Sequence, residues 1–274
     1  GSIAGEAIAS AVRLSGNATA SVAQADLLFA MPTFSTGGYV LTINGTATGL
    51  LGLSTAAKQF ATTLALAASE TVDVATLAGL VQFGFKFDRA GHTLTVQDDA
   101  ANLATLNSFE TALAGSEILG TSAIVDADTA ERLAALPVFT LGSGVTLTVQ
   151  DTAQALIALS AAVRAVASVE RLPPGSAIIT AAEVAGLRAL PNFVSTGTAI
   201  TVQPDSVANV LAFASDVAAI GATIAVFDTA ANVLAALDGL QALPPNLVGS
   251  ITLSDGGTPV MTMTIATLAA DGTV

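Results

Sequence analysis

The chain has no cysteine and no tryptophan, one tyrosine, one histidine, and eight basic residues against 21 acidic ones in 274. Without cysteine, neither a disulfide nor a thiolate metal site can form. A net charge of -13, with Lys58 and Lys86 the only lysines, excludes the basic stripe a nucleic-acid binder needs to displace counterions. The same balance disfavours anionic membrane surfaces. Charged residues make up 11% of the chain, where a globular protein carries roughly 25%. Threonine, serine and alanine must therefore form much of the surface, as suits a protein covered by neighbours or working outside the cell. Long apolar runs are missing too. The uncharged stretch between Asp26 and Lys58 is broken by Pro32, Gly37, Gly38, Asn44 and Gly45, and the apolar stretch from Val210 to Leu237 is interrupted by Asp216 and Asp228, so no membrane span is expected.

What is present is repetition. Tyr39-Val-Leu-Thr-Ile-Asn-Gly-Thr46, His92-Thr-Leu-Thr-Val-Gln-Asp-Asp99, Val145-Thr-Leu-Thr-Val-Gln-Asp-Thr152 and Thr198-Ala-Ile-Thr-Val-Gln-Pro-Asp205 start 53 residues apart (39, 92, 145, 198). A fifth copy, out of that register, is Thr223–Thr229. Alternation of Thr or Gln with Leu, Val or Ile is the period of a half-buried strand. Asp98 or Asp99, Asp151, Asp205 and Asp228 then stand where a helix N-cap belongs. In the alanine-rich runs that follow, Leu50, Leu53, Ala57 and Phe60 align with Leu103, Leu106, Glu110 and Leu113, then with Leu156, Leu159, Val163 and Val166. Val210, Phe213, Val217 and Ile220 follow, and then Val233, Ala236, Leu240 and Leu243. The spacing i, i+3, i+7, i+10 predicts one continuous helix face, broken only by Glu110. Shorter units lie between, each a brief strand, a two-turn helix stopped by Pro32, Pro137 or Pro191, a buried Phe34, Phe139 or Phe193, and a Gly/Ser/Thr turn.

One half-unit of about 25 residues cannot bury its own strand and helix, so copies must stack. The expected fold is α/β: an elongated α/β solenoid of about ten β–α half-units with a mainly parallel sheet and a 53-residue double repeat. Residues 1–274 read as a single repeat domain. Residues 1–16 would hold a cloning remnant, Gly1-Ser2, and a capping helix over Gly5–Leu14; 17–250 the repeats; 251–274 a divergent last unit, with a turn at Asp255–Pro259 and a strand at Val260–Ile265. With Leu94 and Val96 inward, Thr93, Thr95 and Gln97 point outward, as do Thr146, Thr148 and Gln150, and Thr201 and Gln203, predicting columns of Thr and Gln along one face.

The run Phe227-Asp-Thr-Ala-Ala-Asn-Val-Leu-Ala-Ala-Leu-Asp-Gly-Leu-Gln-Ala-Leu243, with Ile251-Thr-Leu-Ser-Asp-Gly-Gly-Thr-Pro259, resembles repeats of very large extracellular proteins of proteobacteria, adhesins or surface-layer components often exported by type I secretion. The resemblance implies an extracellular or cell-surface structural role, with neighbouring repeats, identical copies or surface polysaccharide as partners. The Gly-Gly-x-Gly-x-Asp nonapeptides that often accompany such proteins are absent, so calcium binding is not carried over.

Little in the chain suggests site chemistry. His92, the only histidine, fills a strand-start slot held elsewhere by Tyr39, Val145 and Thr198, which favours a structural residue over a ligand or a triad member. Asp98, Asp99, Asp126, Asp128 and Asp255 are the only candidates for a weak calcium site through oxygen ligands, but Asp126-Ala-Asp128 lacks the acid spacing and central glycine of an EF-hand loop. Capping accounts for most of these aspartates. Gly142-Ser-Gly144 precedes a strand, the reverse of a phosphate-binding loop. Asn17-Ala-Thr19 and Asn44-Gly-Thr46 match the glycosylation pattern. No cofactor is expected and the chain does not read as an enzyme. The leading expectation is a structural or adhesive module. The alternative is a binding protein whose Thr/Gln face takes a regular ligand such as a polysaccharide or ice, although exposed aromatics, usual in carbohydrate sites, are few.

Overall fold

In a computed structural model, which describes residues 11–258, the strands are short and every strand pairing is parallel. The chain divides into two compact units, Gly1–Ser122 with Arg132–Val145, and Ala123–Glu131 with Thr146–Val274.

In the first unit, β1 (Val12–Arg13) pairs with β3 (Phe34–Ser35). A four-stranded sheet runs β2 (Ala18–Ser21), β4 (Leu41–Gly45), β5 (Thr63–Leu66), β7 (Phe87–Asp88). A second runs β6 (Glu70–Val72), β8 (Leu94–Asp98), β9 (Ser116–Leu119), β11 (Phe139–Leu141). In the second unit, β10 (Ala123–Val125), β12 (Leu147–Gln150) and β13 (Val169–Arg171) form one sheet, extended by a bridge between Glu170 and Phe193. Two further pairs are β14 (Gly175–Ile179) with β15 (Thr198–Val202), and β16 (Ile224–Asp228) with β17 (Val248–Leu253). These are open sheets of repeating β–α turns, not a closed barrel.

Registers explain the period. Within a sheet each strand faces one a single β–α turn further on: Glu70 faces Leu94, Thr95 faces Ser116, and Glu117 faces Phe139. The chain runs through two strands in succession at β5 into β6, β9 into β10, and β13 into β14; the second of each pair opens a new sheet before the chain returns, at β7, β11 and the Phe193 bridge, to the sheet of the first. Thr63, Ser116 and Val169, the first residues of β5, β9 and β13, are each 53 apart. The turns before the strands keep the same spacing. Gly38, Gly91, Gly144 and Gly197 have φ of 90, 83, 74 and 93°, the left-handed region that glycine enters without a steric cost. Each closes a turn in which the next N–H reaches back three residues, as from Tyr39 to Thr36 and from His92 to Arg89.

Inward strand residues and helix faces make the core: Leu41, Ile43, Leu94, Val96, Leu147 and Val149 are fully buried, as are Leu50, Leu103 and Leu156 on the helices. The helices differ from the expected continuous cylinders. The first copy has α2 (Ala47–Gly52) and α3 (Thr55–Phe60), after α1 (Val22–Phe29). Following α4 (Val74–Val81), the second copy has α5 (Ala100–Leu103) and α6 (Ser108–Leu113). Following α7 (Ala127–Ala134), the third has α8 (Ala153–Ile157) and α9 (Ala161–Val166). The break has a local cause. Ser54, Asn107 and Ser160, 53 apart, each accept N–H bonds as the N-cap of a new helix. In the fourth copy Ala214 follows Phe213 where a cap would stand, and α11 (Val207–Ala219), after α10 (Ala181–Arg188), runs unbroken for 13 residues. The fifth copy, α12 (Ala230–Ala235) and α13 (Leu237–Gln241), breaks at Ala236 with no side-chain cap.

This break also accounts for Glu110. It is the third residue of α6, and its carboxylate accepts the Asn107 N–H at 2.9 Å, completing a reciprocal capping box. In the first and third copies the same N–H, on Ser54 or Ser160, is held by Asp26 or Glu131 from the helix one turn earlier. The second copy has Ala78 and Gly79 at the corresponding place and supplies the acid itself.

The short units form two-turn helices, α1, α7 and α10, ending before Pro32, Pro137 and Pro191. Phe34, Phe139 and Phe193 are half-buried and not buried, and Phe60, at the expected inner face of α3, is 53% exposed. Val12–Arg13, expected within a capping helix, is a strand; the rest of that expectation up to Ser10, like the expected strand at Val260–Ile265, lies outside the described residues.

Candidate functional site

The aspartates at the strand ends do something other than cap their own helix. The N-caps of α5, α8, α11 and α12 are Asp99, Thr152, Ser206 and Thr229, each one residue past the strand-end acid. Asp98 turns one oxygen to the Asp99 N–H (2.8 Å) and the Asn102 amide (2.9 Å), and sends the other back one β–α turn to the Val74 N–H, the first of α4, at 2.9 Å. Asp151 reaches Ala127, Asp228 reaches Val207, Asp255 reaches Ala230, and Glu70 reaches Ala47 in the same way. First-turn N–H groups have no partner inside their own helix. Here a carboxylate from the following turn satisfies one, so neighbouring turns are riveted by charge-assisted bonds. Asp228, bonded by the Asn232 amide and by the Thr229 and Val207 N–H groups, is held below the usual 3.8. Asp98 is lowered as well: desolvation is the largest single influence and pulls upward, but the Asn102, Val74 and Asp99 bonds together outweigh it. Thr76 lowers Asp73, the N-cap of α4.

The calcium candidates do not converge. Asp98, Asp99, Asp126 and Asp255 spend oxygens on backbone N–H groups, and Asp128 is exposed in the first turn of α7. Among the described residues no group of three or more His, Cys, Asp or Glu side chains is placed to hold one metal ion.

On the sheets, Thr93, Gln97, Thr146, Thr201 and Gln203 are exposed, while Thr95, Thr148 and Gln150 are half-buried. They alternate with buried Leu94, Val96, Leu147, Val149 and Val202. Copies 53 residues apart do not stand side by side, because β8, β12 and β15 belong to three different sheets. The neighbours of Thr95 are Thr71 and Ser116, whose hydroxyl lies 3.2 Å from that of Thr95. The outward rows are therefore Thr71–Thr95–Ser116 and Thr19–Thr42–Thr63 in the first unit, and Ile124–Thr148–Val169 in the second.

Two buried acids complete the inventory. Glu117 and Glu170, 53 apart in β9 and β13, are 1% and 0% exposed, in the slot Leu64 fills in β5. Each carboxylate accepts a backbone N–H from one turn on, Val138 at 3.1 Å and Asn192 at 3.3 Å. The other oxygen of Glu170 has no partner, and neither has buried Nε of Arg164. Desolvation raises the Glu170 carboxyl above its ordinary 4.5 against the opposing pull of the Asn192 N–H and the Arg164 charge. A glutamate recurring at 53 residues in a leucine slot was visible in the sequence, but its position in an unrecognised strand concealed it.

His92 half-lines an open cleft of about 520 Å³ with Asp88, Arg89, Thr93 and Leu113. Arg89 donates to the Leu113 carbonyl at the end of α6 and Asp88 accepts the Ala90 N–H, so both are tied to backbone groups. No family model, curated protein or solved structure matches the chain.

Proposed function

We propose that the chain is a structural or adhesive repeat module of a large extracellular bacterial surface protein that acts through repetition and association with like strands or surfaces. What carries this reading is the repeated outward row of β-branched and hydroxyl side chains on open parallel sheets, best seen at Thr71–Thr95–Ser116. In the first unit these rows carry hydroxyl side chains throughout, and the acidic, lysine-poor chain suits association with neutral surfaces more than with phosphate. Sedimentation velocity over a wide concentration range, with adhesion of chain-coated beads to bacterial cells, tests it. Association or adhesion should weaken when lysine replaces Thr95 and Thr148, because a charge blunts strand-surface contacts. A chain that stays monomeric and non-adhesive throughout would overturn the reading.

The exposed, evenly alternating Thr93 and Gln97 favour a second reading, a binding face for a neutral polysaccharide. Retention on immobilised glycans that is lost in Gln97→Ala with Thr93→Ala would support it, and no retention on any glycan would end it.

A further inference from the structure

The repeat packs successive helices through one size-matched pair. Leu51 lies over Gly79, Ile157 over Gly186 and Leu211 over Gly239; a β-carbon added at Gly79 or Gly186 would come within 2.9 or 2.7 Å of the large side chain. In the second copy the sizes are reversed. Ala104 stands 53 residues after Leu51, and Arg132 stands 53 after Gly79. A second change coincides with it. Lys58 donates to the Leu51 carbonyl at 2.6 Å and Arg164 to the Ile157 carbonyl at 2.7 Å, closing the helix break in the first and third copies. The slot midway between them, 53 from each, is Thr111, whose hydroxyl turns to the Ser108 carbonyl.

Two fillings are thus absent at one place, and an open cleft of about 410 Å³ is found there, lined by Ala104, Leu106, Thr111, Arg132, Leu136 and Pro137. Leu53 and Leu159 are 3% and 4% exposed, whereas Leu106, in the same repeat position, is only half-buried. The Arg132 guanidinium is on the exposed rim, and the one ion pair among the described residues, Arg188 with Asp216, does not involve it. Asp128, one turn back on α7, is not within ion-pair reach. The nearest carboxylate on α6, Glu110, is committed to the Asn107 N–H.

We propose that this cleft binds a small carboxylate with an apolar body, the carboxylate pairing with the planar fork of Arg132 and the body lying on Ala104, Leu106 and Leu136. The site belongs to the second copy alone and does not depend on the role proposed for the whole chain. The test is an amide-resolved NMR titration of the full chain with sodium benzoate, and with benzyl alcohol as the uncharged probe. Benzoate should give saturable shifts at Ala104, Thr111 and Arg132, with benzyl alcohol weaker by about tenfold or more, the scale of a lost charge-assisted contact. Arg132→Gln, a surface change that leaves the fold intact, should abolish saturation. A variant refilled in the pattern of the first copy, Ala104→Leu with Thr111→Lys and Arg132→Gly, should not bind either. Absence of saturable shifts in the wild type, equal response to benzyl alcohol, or full binding by Arg132→Gln would each overturn the proposal.

Discussion

Asp98 holds the first N–H of α4 at Val74 from the strand that ends one β–α turn later, at 2.9 Å. The same carboxylate takes two further bonds, from the Asp99 N–H and the Asn102 amide. Asp98→Ala leaves all three donors without this acceptor and is expected to destabilise the fold by about 1–2 kcal/mol, toward the upper end of the range for lost helix caps. Urea denaturation of the two proteins checks this. Asp99→Ala, which removes only a cap within one turn, should cost less.

Acid should weaken the same bonds. Asp73, Asp98 and Asp228 are all lowered in the folded chain. Their contribution is present above the ordinary carboxylate value near 3.8 and is lost as pH falls below it through the folded values, because the unfolded chain then binds more protons. Thermal midpoints should drop steeply in that window, and less steeply in Asp98→Asn, which has no carboxylate there to protonate.

Glu170 has the opposite sign. Its folded carboxyl is raised, so its ionisation opposes folding, and the stability linked to it is present below 4.5 and lost as pH rises through the folded value. Glu170→Gln retains an acceptor for Asn192 without a buried charge. It should raise the thermal midpoint at neutral pH, with the difference from wild type closing as pH is lowered. A fall in midpoint at neutral pH would mean that the attraction of Arg164 outweighs the desolvation.

Gly79 marks a close approach, not a turn. Gly79→Leu places a second large side chain against Leu51 and is expected to cost about 1–3 kcal/mol. Leu51→Ala combined with Gly79→Leu should recover most of that loss, since it reproduces the reversed sizes found at Ala104 and Arg132. A double-mutant cycle by chemical denaturation measures the coupling.

The parallel β–α architecture and its 53-residue step were legible because Leu94-Thr-Val and its sisters alternate cleanly and end at an acid. The strands β5, β9 and β13 were not. Leu64, Ala65 and Leu66 are buried one after another, which erases the period of two, and Glu117 and Glu170 place charge where a core residue is expected. Missing those strands made the 53-residue copies look like sheet neighbours, when the neighbour of Thr95 is Thr71. The helix breaks could have been read from Ser54, Asn107 and Ser160, but the periodic leucines around them masked the caps. Of the acids singled out, Asp98, Asp151 and Asp228 did matter at helix starts, though largely at the start of the preceding turn, a distance along the chain that local pattern cannot convey.

At α2, α4, α7, α11 and α12 the first N–H is taken by an acid that follows it in the chain. A polypeptide leaving the ribosome would therefore have those five helix starts provisional until the acid-bearing strand emerged, and their ordering would trail the exit tunnel by one turn. Truncation from the carboxyl end should accordingly loosen the last remaining helix start, whereas the acid-bearing strand it leaned on would be the first thing lost.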